Sequence, residues 1–173
     1  SVNLRFGAGW HNPQLTREEE IQAYVAAKER AAYLAALPAA ESAALIQKAQ
    51  TTFDQLRADR AFEGKVSYAK ALSDPDLKLM WMKHTFFSFV DLADACVAME
   101  LGLTHDYQGS HPLFVVHETN ILNQDAAQLA RLFYPSVANQ NALSGAQSFL
   151  SGQRAAEIIG FTATTHPDQL LQP

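Results

Sequence analysis

HTFFSFVDLADACVAMELG, residues 84 to 102, is the stretch on which the reading of the chain turns. It opens as an aromatic run, Phe86-Phe87-Ser88-Phe89-Val90, and passes through Asp91 and Asp94 into an Ala-rich segment ending near Gly102. Phe87 and Phe89 alternate with Ser88, which predicts a strand with both rings on one buried face, and Asp91 is placed to cap the helix that follows. So much apolar side chain at one strand-to-helix corner implies a large surface to pack against. Cys96, the only cysteine, excludes a disulfide within the chain and is expected to be a small buried hydrophobe on that helix.

Upstream of the corner, Leu4-Arg5-Phe6-Gly7 reads as a strand running into a glycine turn. A chain that opens at Ser1 in mid-strand, without Met, is expected to be a piece of a longer protein. Thr16 and Glu19 form an S/T-x-x-E capping box for a helix over about 17 to 37, and a second helical pattern after Pro38 runs to about 60. The short connection predicts a helical hairpin with Leu34, Leu37, Leu45, Ile46 and Phe53 along its seam. Ser73-Asp74-Pro75 starts a short apolar helix through Leu77 and Met82. Downstream, Leu113-Phe114-Val115-Val116 reads as a buried strand, a helix begins at Asn123 or Gln124 and reaches Phe133, and Ser151 caps a last helix that stops at Gly160.

The 173 residues are expected to form one domain: strand and loop over 1–13, helical hairpin over 14–62, and a C-terminal lobe over 63–173. A formal net charge of −5, with 13 basic residues scattered singly, argues against nucleic acid and against an anionic membrane surface. No apolar run reaches the ~18 residues of a membrane span, and no basic segment leads into an apolar one at the start. A cytoplasmic protein is expected.

Four stretches, in order, resemble the C-terminal half of the extended short-chain dehydrogenase/reductase family, the NAD-dependent epimerase/dehydratase group. Leu4 to Pro13 is similar to that family's late Rossmann strand and R-x-x-N-x-Y-G-P loop. Phe87-Ser88-Phe89-Val90-Asp91-Leu92-Ala93-Asp94-Ala95 resembles its F-x-x-V-D-D-x-A corner. Leu113 to Val116 resembles its x-F-N-I strand, and Ser151 to Phe161 its terminal S-x-x-K-A-x-x-x-L-G-F element. The resemblance implies an α/β fragment, rich in helix, in which a late Rossmann strand joins a small substrate-binding lobe with a helical hairpin inserted. It implies an NAD(P)-dependent oxidoreductase, epimerase or dehydratase as the parent protein, and a corner whose apolar residues serve the interface between lobes. The G-x-x-G-x-x-G turn that admits the dinucleotide pyrophosphate is absent from the sequence, so NAD or NADP belongs to the complete parent and this chain alone binds neither. The implied partners are an N-terminal Rossmann half or companion chain and a small-molecule substrate, and a homodimer is compatible with them.

No catalytic, cofactor-binding or metal residue is assigned. Tyr24 and Lys28 have the family's Tyr-x-x-x-Lys spelling, but they follow the first matched strand where the family's pair precedes it, so an ordinary amphipathic helix is the preferred reading. His105, His111 and His117, with Asp106 and Glu118, have no zinc-ligand spacing and read as loop and strand-end residues. In the family the substrate lies at strand ends, which the resemblance maps onto Trp10, His11, Lys83, His84 and Phe86. Trp10 offers a stacking face and His11 a proton donor or acceptor, or the two are a loop anchor and a solvated histidine. The family's Arg before the corner is replaced by Thr85 and Phe86, with Lys83 the nearest cation, which speaks against a nucleotide-diphosphate sugar. The alternative reading is a self-standing helical protein-interaction module without catalysis, for which the hairpin offers paired amphipathic surfaces.

Overall fold

The computed structural model describes residues 16–59, 73–138 and 143–171. They fall into two compact units, a helical unit within 16–84 and 127–144 and a corner unit of 85–126 and 145–171.

In the helical unit, α1 (Arg17–Ala36) starts at the expected capping box. The Glu19 N–H donates to Thr16 Oγ1 at 3.2 Å, and the Thr16 N–H donates to the Glu19 carboxylate at 2.7 Å. Ala23, Tyr24, Ala27, Ala31 and Leu34 recur at helical spacing and form its buried stripe. After Pro38, α2 (Ala39–Ala58) buries Ser42, Ile46, Ala49 and Phe53 in the same way. Asp74 Oδ1 accepts the N–H groups of Asp76 and Leu77 at 2.9 and 3.0 Å and so opens α3 (Pro75–His84), with Pro75 at the position where a missing N–H costs nothing. Lys78, Leu79, Met80 and Met82 are all buried, and neighbouring positions on a helix cannot share one face, so α3 is enclosed. Both α1 and α2 pack on it. The two helices of the expected hairpin therefore exist, but their seam is with α3 more than with each other. Arg30 of α1 reaches Asp76 of α3 through a forked pair at 2.7 and 3.1 Å, which raises the guanidinium pKa.

In the corner unit, Asp91 Oδ1 accepts the Ala93 N–H at 2.8 Å and caps α4 (Leu92–Thr104), as the sequence predicts. Ala95 and Ala98 of α4 lie in a core with Val90, Ala155, Ile159 and Phe161. α5 (Ala126–Phe133) has only its first residue in this unit. α6 (Gln153–Ile159) ends at Gly160, whose φ of 69° is the left-handed conformation a side chain disfavours. The Gly160 N–H bonds the Ala156 carbonyl, the single bond of an αL cap, and the Phe161 N–H reaches the Ala155 carbonyl. A 3-10 turn, Pro167–Leu171, follows.

The expected α/β class is corrected: no strand occurs among the described residues, and the Leu4–Phe6 strand of the late Rossmann element lies outside them. At the corner the reason is visible. Phe86 and Phe87 take φ of 56° and 50°, so the chain turns where a strand would have to continue. Beyond the turn, the Phe87 carbonyl accepts from Ile121 N–H and the Phe89 carbonyl from His117 N–H, each at 2.8 Å. Two residues on one side thus match four on the other, a mismatch that no continuous ladder tolerates. Ser88 is buried as well, so Phe87 and Phe89 are not set apart from it by alternation. The run from Leu113 to Val116 is irregular, with Phe114 57% exposed. Among the described residues the one isolated bridge joins Thr119 to Gln147, and neither expected strand forms.

Candidate functional site

The residues singled out from sequence fall in different places. Trp10 and His11 lie outside the described residues. Lys83 and His84 end α3 in the helical unit. The Lys83 ammonium donates to Gln50 Oε1 at 2.7 Å, and the His84 ring stacks on Phe53 with centroids 5.0 Å apart. Burial lowers the pKa of both, and Arg57 and Lys83 add to the effect at His84 while Asp54 opposes it. The Tyr134 hydroxyl donates to the Lys83 carbonyl, and burial raises its own pKa. These contacts give Lys83 and His84 structural duties within their unit. Phe86, the second residue of the corner unit, is 49% exposed and holds the left-handed backbone described above. Tyr24 is in the buried stripe of α1, with Lys28 half-buried beside it.

The three histidines considered for zinc separate. His111 bonds the Gln108 carbonyl through Nε2 at 2.6 Å and meets Arg154 Nη2 at 3.4 Å. His105 caps the end of α4. Only His117 is buried, and no group of three or more His, Cys, Asp or Glu able to hold a metal ion occurs among the described residues.

The densest polar arrangement lies in the corner unit, and most of it was not foreseen. Asp94, in the first turn of α4, accepts the Thr164 N–H at 3.1 Å, the Thr164 hydroxyl at 2.9 Å and the Thr165 N–H at 2.9 Å. Burial alone would raise its pKa, but these bonds outweigh it and hold the carboxyl below its ordinary value. His117, 5% exposed, stacks on Phe89 at 5.2 Å, and His166 meets it edge-on at 5.7 Å. Its Nδ1 accepts the Thr119 N–H at 2.9 Å. His166 Nδ1 lies 3.8 Å from Asp168, whose carboxylate also accepts from Asn123 Nδ2 at 2.8 Å. Asn120 is fully enclosed: its Nδ2 donates to the carbonyls of Gln124 and Gln147, and its Oδ1 accepts the Gln124 N–H. Ser88 and Ser148 share a buried bond of 2.9 Å. The one sequence cue to this network was Asp94 beside Asp91. The groups that donate to Asp94 lie 70 and 71 residues away, in a Thr-Thr-His run with no motif of its own.

α4 itself carries the other unusual surface. Its buried side is made by Asp94, Ala95 and Ala98, but its exposed positions are also apolar. Leu92 is 63% and Leu103 88% exposed, Val97 and Met99 face water as well, and Glu100 is the one charged residue among them. Leu92, Cys96, Met99 and Leu103 recur at four, three and four residues, which is one stripe on a helix. Cys96 is therefore exposed on that stripe, correcting its expected place in the core. No described helix is long and apolar enough to cross a membrane. Comparison with protein-family models, with curated proteins and with solved structures finds no match to this chain.

Proposed function

We propose that this chain is the substrate-side part of an NAD(P)-dependent oxidoreductase, epimerase or dehydratase of the extended short-chain dehydrogenase/reductase type, completed by a cofactor-binding half that it does not itself contain. One observation carries the reading: α4 is apolar on its exposed side as well as its buried side, and a helix apolar all round is normally covered. That helix belongs to the corner whose residues resemble the family's F-x-x-V-D-D-x-A element, so the cofactor-binding half is the proposed cover. The substrate is a small molecule other than a nucleotide-diphosphate sugar, and the protein works in the cytoplasm. The helical interaction-module reading is favoured by the same face, which any apolar protein surface could cover.

The test is to purify the protein from its native source, map its peptides upstream of Ser1 and the chains that copurify, and compare hydrogen exchange of the α4 amides with that of the isolated 173 residues. A glycine-turn sequence in the same or a companion chain, dinucleotide binding, and slower exchange in α4 are expected. A protected α4 with no dinucleotide-binding sequence would favour the interaction module, and an α4 equally open in both would remove the basis of either reading.

A further inference from the structure

The His117 residue joins the corner run at Phe89 to the loop that carries Thr119. Its backbone N–H bonds the Phe89 carbonyl, its ring stacks on Phe89, and its Nδ1 accepts the Thr119 N–H. With Nδ1 occupied as an acceptor, the neutral ring carries its proton on Nε2. Thr119 in turn is the bridge residue opposite Gln147, flanked by the Asn120 N–H to Ala146 carbonyl bond of 2.7 Å and the Ser148 N–H to Glu118 carbonyl bond of 2.6 Å. One side-chain acceptor therefore holds the amide of the bridge residue itself.

We propose that His117 is a proton-sensitive latch, closed when its Nδ1 accepts the Thr119 N–H and opened when a proton on that nitrogen turns it toward being a second donor, releasing residues 117–121 from residues 145–148. A second proton on the ring can enter only at Nδ1, where it meets an N–H that already points at the same atom, so the two cannot coexist in this geometry. The charged ring would also be held against Phe89 in a buried place. His166, edge-on at 5.7 Å, opposes a second positive charge, whereas the Thr119 backbone, Glu118 and Asp94 favour one. Asp94 is already committed to Thr164 and Thr165, and Asp168 faces His166. Burial is the largest influence and the net effect lowers the His117 pKa, in the direction the latch needs. The neutral ring is thus favoured in the folded chain relative to the unfolded one. Its contribution to stability is complete above the ordinary histidine range and is lost as pH falls from there through the lower folded value.

Hydrogen exchange of the Thr119 amide, read by NMR and corrected for intrinsic rates, tests this on the intact 173-residue chain. Between about pH 7.5 and about pH 5 its protection is expected to fall by roughly tenfold or more, together with that of Asn120 and Ser148, while the Ala98 amide of α4 keeps its protection. His117→Asn places an amide oxygen near Nδ1 that accepts from Thr119 but takes no proton, and its protection should change by less than about twofold over the same range. A parent protein with pH-independent Thr119 protection, or a pH response undiminished in His117→Asn, overturns the latch. Should His117→Asn not fold, His166→Gln serves: removing the opposing imidazole should move the midpoint of the Thr119 response to higher pH. An unmoved midpoint in that variant would likewise overturn it.

Discussion

The helical unit and the corner unit are held together by different means. In the helical unit, apolar residues recur every three or four positions on α1 and α2, and the enclosed α3 receives both stripes. In the corner unit the chain runs mostly without regular structure between α4 and α6, and polar side chains do what a backbone ladder would otherwise do. Asp94, Asn120, Ser88 and Ser148 each bond groups distant in the chain. Periodic burial is tolerant because each contact is one of many. A buried polar clasp is not, because removing one partner leaves the other unsatisfied.

Core truncation gives the largest effect and treats the units alike. Phe89, 1% exposed and stacked on His117, and Leu34, in the α1 stripe, each lose a fully enclosed side chain on replacement by alanine. Thermal or denaturant unfolding should show losses of about 3 to 5 kcal/mol for Phe89→Ala and about 2 to 5 kcal/mol for Leu34→Ala. A Phe89→Ala protein as stable as the parent would show that the corner does not depend on apolar packing at all.

The clasp separates the units. Asp94→Ala removes three bonds to an ionised acceptor and leaves the Thr164 and Thr165 N–H groups without it, for which about 2 to 3 kcal/mol is expected. The carboxyl pKa is depressed in the folded state, so the stabilisation is present above the ordinary carboxylate pKa of about 3.9 and disappears as pH falls through the lower folded value. Acid titration of stability should therefore be flatter in Asp94→Ala than in the parent. Identical acid limbs would mean that the clasp contributes nothing beyond its shape.

What could be read in the sequence follows the same division. The capping box at Thr16 and Glu19, the Asp74-Pro75 start, the Asp91 cap and the Gly160 stop are all local signals, set by residues within a turn of one another, and each lies where the sequence placed it. Phe86 to Val90 failed as a strand because alternation over five residues cannot reveal that Phe86 and Phe87 turn left-handed or that Ser88 has a buried partner 60 residues on. Residue type alone predicts Cys96 in the core, whereas the exposed stripe it joins becomes evident only once Ala95 and Ala98 take the buried side. His166 left no trace in the sequence because its significance comes wholly from the ring it faces.

A local cap should matter less than a long-range clasp, even on the same helix. Asp91→Ala removes one side-chain bond to the Ala93 N–H, at an end where water can replace the acceptor, and about 1 kcal/mol is expected. The comparison with Asp94→Ala, three residues along, is internal to one turn of α4. If denaturant unfolding returned equal losses for the two, the difference drawn between periodic and clasped construction would not extend to α4.

The smallest effect is expected where intuition would place a large one. Replacing an aromatic residue with glycine ordinarily removes packing and adds backbone freedom to the unfolded chain, both destabilising. At Phe86 these losses are reduced and opposed. The ring is 49% exposed, so little enclosed surface is lost, and φ is 56°, a conformation that costs an L-residue roughly 1 to 2 kcal/mol and glycine nothing. Glycine's entropic penalty of about 0.5 to 1 kcal/mol is of the same size and opposite sign. Phe86→Gly should therefore unfold within about 1 kcal/mol of the parent, measured by denaturant titration. A loss as large as that of Phe89→Ala would mean that the exposed ring is what holds the left-handed turn, and Phe86 would then belong with the clasps of the corner unit and no longer with its strained, replaceable backbone.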